Sequence, residues 1–585
     1  MKIAGRFLVI VRLLTRPGNY KVSPRFSVHV HPRITSAVCE RERNISHPSS
    51  TCMAAENNLD TEVLIIGAGP TGLVLALWLK RLGVHVRIFD KASAPGTTSR
   101  ALAVQARTLE FYGQLGFADE LVRLGRWAIG GTIWSKGRRA AHIDFKEMGS
   151  GISPYPYALI FPQDQHERLL IDRLSQLGAF VERGKELLEL EECDDRVRVK
   201  IRNSDGTEEI CTTAYLAGCD GARSIIRKQL NIGFPGGTYE HLFYVADVEA
   251  TGETLNGGLN IVFEQADFLV VFPLKDDGQV RFIGTVRDTS VGEDNLSWAS
   301  VDQGIITDLR TDVERVNWFS TYRVHHRVAD HFRKGRSFLL GDAAHIHSPV
   351  GGQGMNTGIG DAVNLAWKLA AVLRGKAKVE VLESYELERI AFARRLVATT
   401  DRAFTTVTSG SPLARLMRLR IVPLVAALLF SSRRLRRLLF CTISQVGVNY
   451  RHSTLSRGRT GAVHAGDRLP WVKQATHDAN GDNFAPLQSL NWQLHVYGSA
   501  TPQLCSLSAG WNLPMHVFPW NAEMKQKGLE RDAIYLVRPD GYIAVAAGPN
   551  ESETLETYLA EIMLSVDNAK TSLPGHESSS HSEAR

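Results

Sequence analysis

The chain has 585 residues, 44% of them apolar and 22% charged, enough for two to four domains with cores of their own. Its formal net charge of +6 is local, because residues 1–52 hold nine Lys/Arg against Glu40 and Glu42 and the remainder sums to −1. A nucleic-acid-binding surface therefore loses its main support, and seven cysteines without a CxxC pair or Cys/His ligand spacing argue against a disulfide framework or zinc site and for a reducing compartment.

The leader, beginning "MKIAGRFLVIVRLLTRPGNYK", is Arg-rich and acid-poor. It suits a transit peptide better than a secretory signal, since the run "FLVIV" is short and Arg12 interrupts it. The preferred reading is untranslated or disordered sequence upstream of a true start at Met53, where "MAAENNLDTEVLIIGAGPTG" would open an ordinary cytosolic protein. The expected location is the cytoplasm, or the mitochondrion if residues 1–52 are a genuine transit peptide. No apolar run reaches the roughly 18 residues a membrane span needs; "IVPLVAALLF" at 421–430 is too short.

From Thr61 the pattern reads strand "EVLIIGAG", helix "PTGLVLALWLKRLG" and strand "HVRIFDK", one β-α-β unit. It contains Gly67, Gly69 and Gly72 in GxGxxG spacing, and Asp90 ends the second strand. A lone GxGxxG is weak, but strand before, helix after and an acid about 20 residues on are the context of a dinucleotide fingerprint. Gly67 permits the tight turn, Gly69 lets a pyrophosphate approach the backbone, and Gly72 lets helix and strand pack closely. Helix amides and dipole would hold the phosphates, and Asp90 would accept hydrogen bonds from a ribose. Two further signatures follow. "YLAGCDGARSIIRKQL" at 215–230 sets Asp220 between an apolar strand and a helix, and "FLLGDAAHIHSPVGGQGMN" places Asp342 at a strand end before Pro349, Gly352, Gly354 and Met355.

With GAGPTG, CDGARS and GDAAHIHSPVGGQGMN in this order, the sequence closely resembles the flavin-dependent aromatic hydroxylases, the p-hydroxybenzoate hydroxylase class of single-component monooxygenases. The resemblance runs from about Glu62 to the end of the folded C-terminal region and includes "SRALAVQARTLEFYGQLG" and "FPQDQHERLL". It implies that Asp342 holds the ribityl chain of FAD and that Pro349 lies against the flavin's reactive face. The helix after "VGGQG" would then aim its bare amides at the pyrimidine edge, where a helix end favours the anionic reduced ring by up to about 2 kcal/mol. It further implies Arg107, Gln163, Gly352, Gly354 and Met355 beside FAD, and Asp220 near the pyrophosphate or the nicotinamide partner. Asp90 stands where the family more often carries glutamate, so its ribose contact has a shorter reach.

Residues 240–290 alternate β-rich runs with turn clusters such as "KDDG". By resemblance they form an inserted sheet walling the substrate pocket. Tyr244, Arg281, Tyr322 and His325 are candidates for orienting or deprotonating a phenol, and none is singled out as the catalytic base. Between 376 and 455 the pattern is helical and Arg-rich; packing helices are the preferred reading, with peripheral membrane contact as the alternative. The end of the chain shows strands "NWQLHVYG" and "MHVFPW", a hairpin turning at Pro539-Asp540-Gly541 and a helix over 552–564. This resembles the thioredoxin-like domain of the phenol hydroxylase branch. Cys505 stands alone where a CxxC would be needed, so the domain is expected to pack or to form a homodimer.

The expected architecture is α/β: a Rossmann-like FAD-binding domain with an inserted β-sheet substrate domain and a C-terminal thioredoxin-like domain. The expected divisions are a leader over 1–60, the first segment of the FAD-binding domain over 61–235 with substrate-sheet segments near 130–160, and the substrate sheet over 236–330. The second segment of the FAD-binding domain follows over 331–375, then a helical region over 376–458, the thioredoxin-like domain over 459–566 and a disordered polar tail over 567–585. The function implied is an NAD(P)H-dependent FAD monooxygenase of secondary metabolism, hydroxylating a phenolic or polyketide-like aromatic with molecular oxygen through a C4a-hydroperoxyflavin and needing no metal. Baeyer–Villiger oxidation, epoxidation, or a flavin reductase or oxidase without oxygen insertion are the alternatives.

Overall fold

The computed structural model describes residues 59–563 apart from 98–100, 129, 136, 146–147, 256–257, 265–266, 275–277, 287–295, 349–350, 409–431 and 474–480. Residues 1–58 of the expected leader, the whole polar tail, the run 421–430 and Pro349 lie outside the described residues.

The β-α-β unit begins with strand Thr61–Ile66, whose Val63 to Ile65 are fully buried. Helix Pro70–Arg81 follows, opened by a proline that needs no hydrogen-bond partner at the first turn. Strand Val86–Asp90 then returns parallel to the first, with Ile65 beside Ile88. These strands are apolar on both faces because helices cover both sides of a parallel sheet. The sheet grows through the long strand Glu208–Gly218 and the short strand Ser337–Leu339, both parallel to Thr61–Ile66. Strand Val181–Arg183 adds on the other side. The order is therefore Ser337–Leu339, Glu208–Gly218, Thr61–Ile66, Val86–Asp90, Val181–Arg183. Helix Gly354–Leu373 packs on helix Pro70–Arg81, and from Asn356 to Ala370 every residue but Gly360 is buried.

A second eight-stranded sheet is built on the long antiparallel pair Gly236–Gly252 and Thr311–Val328. Strands Gly130–Ser135 and Arg138–Asp144 cross over to join its far side. Strand alternation puts Leu242, Tyr244, Ala246 and Val248 on one face, where they form a core with Ile305, Ile306 and Leu309 around helix Gln303–Asp308. Phe243, Val245 and Asp247 take the opposite face. The two sheets are joined at His345–Ile346, which follows the Gly341–Asp342 turn directly and pairs with Arg327 and Val328.

A third sheet of six strands closes the chain, with helices Pro502–Gly510 and Ser552–Ile562 packed against it. Its hairpin, strands Ile534–Val537 and Ile543–Ala547, turns at Pro539–Gly541. The turn is anchored to helix Ala106–Gln114: the Arg107 guanidinium donates to the Asp540 carbonyl at 2.6 Å and the Gln114 amide to that of Pro539 at 3.0 Å. Among the described residues no helix is long and apolar enough to cross a membrane.

Candidate active site

Four parallel strands end on one edge of the first sheet, and each runs, at its end or within three residues of it, into a residue singled out from the sequence. Register pairs Ile66 with both Phe89 and Gly218, and Gly218 with Leu339. The fingerprint, Asp90, Asp220 and Asp342 therefore emerge side by side. In an open α/β sheet this carboxyl edge is where ligands bind.

Gly67 has φ +102°, and a Cβ there would collide with the Cys219 carbonyl oxygen; its amide donates to the Phe89 carbonyl at 2.8 Å. A Cβ on Gly72 would strike the Gly67 carbonyl oxygen, so helix and loop are in backbone contact. At Gly69 a Cβ would meet no atom of the described residues within 4 Å. Gly67 and Gly72 are required by the protein itself, whereas Gly69 borders open space in front of a helix that has no side-chain cap.

Asp90 folds onto the fingerprint: Oδ2 accepts the Ala68 amide at 2.7 Å and Oδ1 the Ala92 amide at 2.8 Å. Its short side chain thus shapes the loop from below. Asp220 turns toward helix Ile225–Gln229, with Oδ2 accepting the Ile225 amide at 2.7 Å and the Ile226 amide at 3.3 Å. Its Oδ1 is buried without a partner. Burial raises the Asp220 pKa in spite of hydrogen bonds from Ser224 and the helix amides that pull it down. Asp342 sits in the short helical turn Gly341–Ala343 with its side chain exposed between two buried neighbours.

The floor beyond Asp342 is made by the loop into helix Gly354–Leu373. Gly352 adopts φ +60°. The Asn356 amide donates to the Gly352 carbonyl at 2.9 Å and to that of Ala103 at 2.8 Å. Asn356 Oδ1 in turn accepts the Gln105 amide at 2.9 Å, and Gln105 Nε2 reaches the Gly351 carbonyl at 3.1 Å. The helix start at Gly354 and Met355 carries neither a side-chain cap nor an acid in its first turn, leaving about half a positive charge exposed. Gln163 opens helix Gln163–Gln176, and its Nε2 donates to Glu167 Oε1 at 2.8 Å.

Arg107 carries contacts that sequence reasoning did not anticipate. It is buried, ion-paired with Glu110 at 2.7 Å, bonded to the Asp540 carbonyl, and stacked over the Phe111 and Tyr542 rings at 4.3 and 4.9 Å. The C-terminal hairpin thus holds one nitrogen of the guanidinium, and the neighbouring Glu110 another. Among the phenol-directed candidates, Tyr244 is fully packed against Phe319 and Trp298 on the side of helix Gln303–Asp308. Arg281 is buried in an ion pair with Asp247 at 2.5 Å. Tyr322 lies beside Phe243. His325 Nδ1 is 2.7 Å from Thr238 Oγ1, and burial followed by the Arg327 charge lowers its pKa.

Sequence reasoning missed several residues around the site. Thr71 packs against Gly341 and Gly358. Arg227 donates to the Ala343 carbonyl at 2.7 Å and to that of Ala222 at 2.9 Å, lying 3.8 Å over the Phe234 ring. Asp361 and Arg389 form a buried ion pair at 2.5 Å. The available signal was the run of Asp361, Asn364 and Lys368, polar positions on an otherwise apolar helix.

A carboxyl edge that unites a fingerprint loop, two aspartate turns and a bare helix end is that of a dinucleotide-binding α/β protein. Residues 60–400 match the family model described as FAD binding domain, and the chain belongs to that family. It is 33% identical over 530 residues to the 6-methylpretetramide 4-monooxygenase of Streptomyces rimosus, covering 86% of this chain and 94% of the relative. It is 31% identical over 532 residues to a flavin-dependent monooxygenase of Mycobacteroides abscessus, covering 86% of this chain and 100% of the relative. Among solved structures, the anhydrotetracycline hydroxylase of Streptomyces rimosus superposes with a TM-score of 0.69 at 29% identity, over 86% of this chain and 99% of that one. The chain is an FAD-dependent monooxygenase akin to aromatic hydroxylases.

Proposed function

We propose that this enzyme hydroxylates a polycyclic, polyketide-like phenol using FAD, NAD(P)H and molecular oxygen. The observation that carries the reading is the convergence of Gly69, Asp220 and Asp342 on one sheet edge, with protein-free space at Gly69 and a buried unpaired oxygen on Asp220. These features fit FAD. The Gly67–Gly72 turn would take the pyrophosphate, Asp342 the ribityl hydroxyls, and Gly352, Gly354 and Met355 the ring edge. Asp220 and Gln163 would border the cofactor, Asp90 would support the loop and present its remaining lone pairs to the ribose, and Pro349 is assigned to the ring face on resemblance alone. The bound flavin supplies reduction by NAD(P)H and oxygen activation, while the protein orients the ring to be oxidised and keeps water away.

Two relatives act on large fused-ring compounds by name, 6-methylpretetramide and anhydrotetracycline. The second sheet, tied to the Asp342 loop through His345–Ile346, is the wall we assign to the substrate. We read the third sheet as thioredoxin-like. Four of its strands run in the order Ile543–Ala547, Ile534–Val537, Gln493–Tyr497, Met515–Phe518, the first two pairings antiparallel and the last parallel, which supports this. Cys505 is a free exposed thiol, so we assign this sheet no dithiol chemistry.

Purified protein should be yellow, and a fused-ring phenol should accelerate NAD(P)H oxidation with a product one oxygen heavier, the atom coming from labelled O2. A folded preparation that takes up no FAD overturns the cofactor assignment. NAD(P)H consumption without oxygen incorporation for every phenol tried overturns the hydroxylase reading.

A further inference from the structure

The turn bearing Asp342 is pinned from beneath by one carboxylate. Asp361 lies two turns into helix Gly354–Leu373 and is fully buried. Its Oδ2 accepts the Gly341 amide at 3.0 Å and approaches His345 Nε2 at 2.7 Å. A single oxygen thus holds the residue before Asp342 and the residue three beyond it. Its other oxygen, Oδ1, accepts Arg389 Nε at 2.5 Å. Arg389 is fixed in turn by the Thr357 carbonyl at 3.0 Å and the Tyr450 hydroxyl at 2.8 Å. Tyr450 packs on Tyr542 at the base of the C-terminal hairpin, with ring centroids 4.4 Å apart.

The turn has little freedom left around these contacts. Gly341 adopts φ +58° with Thr71 packed against it, and Ala343 is held through its carbonyl by Arg227. Burial alone would push the Asp361 carboxyl up, but Arg389 and His345 outweigh it and the net shift is downward. The group therefore stays ionised at neutral pH, as an acceptor of three hydrogen bonds must.

We propose that Asp361 is a positioning residue for the cofactor, fixing Gly341 and His345 so that the exposed carboxylate between them, Asp342, is presented in the one orientation that grips FAD. The proposal rests on the assignment of Asp342 to the ribityl chain. It assigns a cofactor-holding role to a side chain that does not face the cofactor cleft, and through Arg389 and Tyr450 it brings the C-terminal region into cofactor retention.

The test is a double-mutant cycle on FAD affinity, read by flavin fluorescence on titrating apoprotein, with the flavin reduction potential as a second readout. Asp342→Ala should raise the FAD Kd about tenfold or more, and Asp361→Asn should do the same. The Asp361→Asn effect should shrink to less than about twofold in the Asp342→Ala background, because a support has no consequence once the group it supports is gone. An equal loss in both backgrounds would mean that Asp361 serves general packing, and the proposal would be wrong. Should Asp342→Ala leave FAD affinity unchanged, the assignment of Asp342 is what fails. Asp361→Asn leaves Arg389 buried without its counter-charge and could unfold the protein. The cycle is therefore repeated with Asp361→Asn/Arg389→Gln, which removes both charges together, and the same collapse of the effect is required.

Discussion

Two sheets of the molecule each use the same local device, a buried strand running through a glycine into a helix, and the two are finished differently. In the cofactor sheet, strand Thr61–Ile66 leads to Gly69 and helix Pro70–Arg81; the helix start has no side-chain cap and a Cβ on Gly69 would face open space. In the C-terminal sheet, strand Gln493–Tyr497 leads to Gly498 and helix Pro502–Gly510. There Thr501 Oγ1 accepts the Leu504 amide at 3.2 Å, and a Cβ on Gly498 would collide with Asp532, whose Oδ1 accepts the Ser499 amide at 2.6 Å. A helix start partly satisfied by its own chain has fewer donors to offer a ligand, whereas one left bare invites an anion. Fold similarity therefore does not decide where an anion can be held; the state of the helix start and the space before it do.

The sharpest way to break the comparison is to attack the place where the two regions meet. Arg538 is fully buried, with Nη1 and Nη2 on Glu388 at 2.7 and 3.1 Å and Nη2 on Asp540 at 2.6 Å; Lys368 shares Glu388 at 2.9 Å. Arg538→Met strands two carboxylates with one lysine and should cost about 3–5 kcal/mol of stability in urea unfolding. If the C-terminal region were an independent appendage, its own unfolding step alone would shift. The network predicts that the FAD-binding unit loses stability with it.

Three glycine substitutions then separate the roles of the two loops. Gly67→Ala meets both a positive φ and the Cys219 carbonyl, and should cost about 3 kcal/mol whether or not FAD is present. Gly498→Ala, with φ +134° and Asp532 in the way, should destabilise similarly while leaving the FAD Kd of the folded protein unchanged. Gly69→Ala, at φ −76°, should leave the apoprotein within about 0.5 kcal/mol of the parent yet weaken FAD at least tenfold, about 1.4 kcal/mol. Apoprotein unfolding and FAD titration on the three variants check this, and an unchanged FAD Kd for Gly69→Ala would mean that the open space is not the pyrophosphate site.

What could be read from the sequence was what neighbouring residues decide. Apolar runs and turn glycines marked the β-α-β unit over Thr61–Asp90, and the Asp342 turn announced itself by an acid between a strand and a glycine-rich helix start. What could not be read depends on distant partners. Arg107 finds a partner carbonyl in Asp540, 433 residues away, and no local pattern records that meeting. Tyr244 illustrates a second limit. Alternation fixes that it shares a face with Leu242 and Ala246, but not that helix Gln303–Asp308 would cover that face. Asp361 shows a third: a polar residue on an apolar helix announces a buried partner without saying which.

Acid should affect the C-terminal sheet through a buried imidazole of its own, as it does the FAD-binding unit through His166. His495 lies buried on strand Gln493–Tyr497, and burial, reinforced by His516, lowers its pKa to about 3. The native imidazole stays neutral while the unfolded chain takes up a proton below about pH 6.5, so its contribution is complete above that pH and declines as pH falls toward 3. Between pH 7 and 5 the loss from this group is about 2 kcal/mol. His495→Phe should therefore flatten the pH dependence of urea stability by that amount, and an unaltered slope would show that the ring is hydrated in the native protein.

The smallest effect isolates the cap on which the comparison turns. Thr501→Ala removes the hydroxyl that accepts the Leu504 amide and should cost about 1 kcal/mol. It also gives the C-terminal helix the bare start that helix Pro70–Arg81 already has. If a bare start alone made an anion site, this variant would gain affinity for pyrophosphate, measurable by calorimetry. The filled space around Gly498, where Asp532 already occupies the approach, predicts no gain. Pyrophosphate binding by Thr501→Ala would show that capping alone separates the two loops, and its absence that the space at Gly69 is equally required.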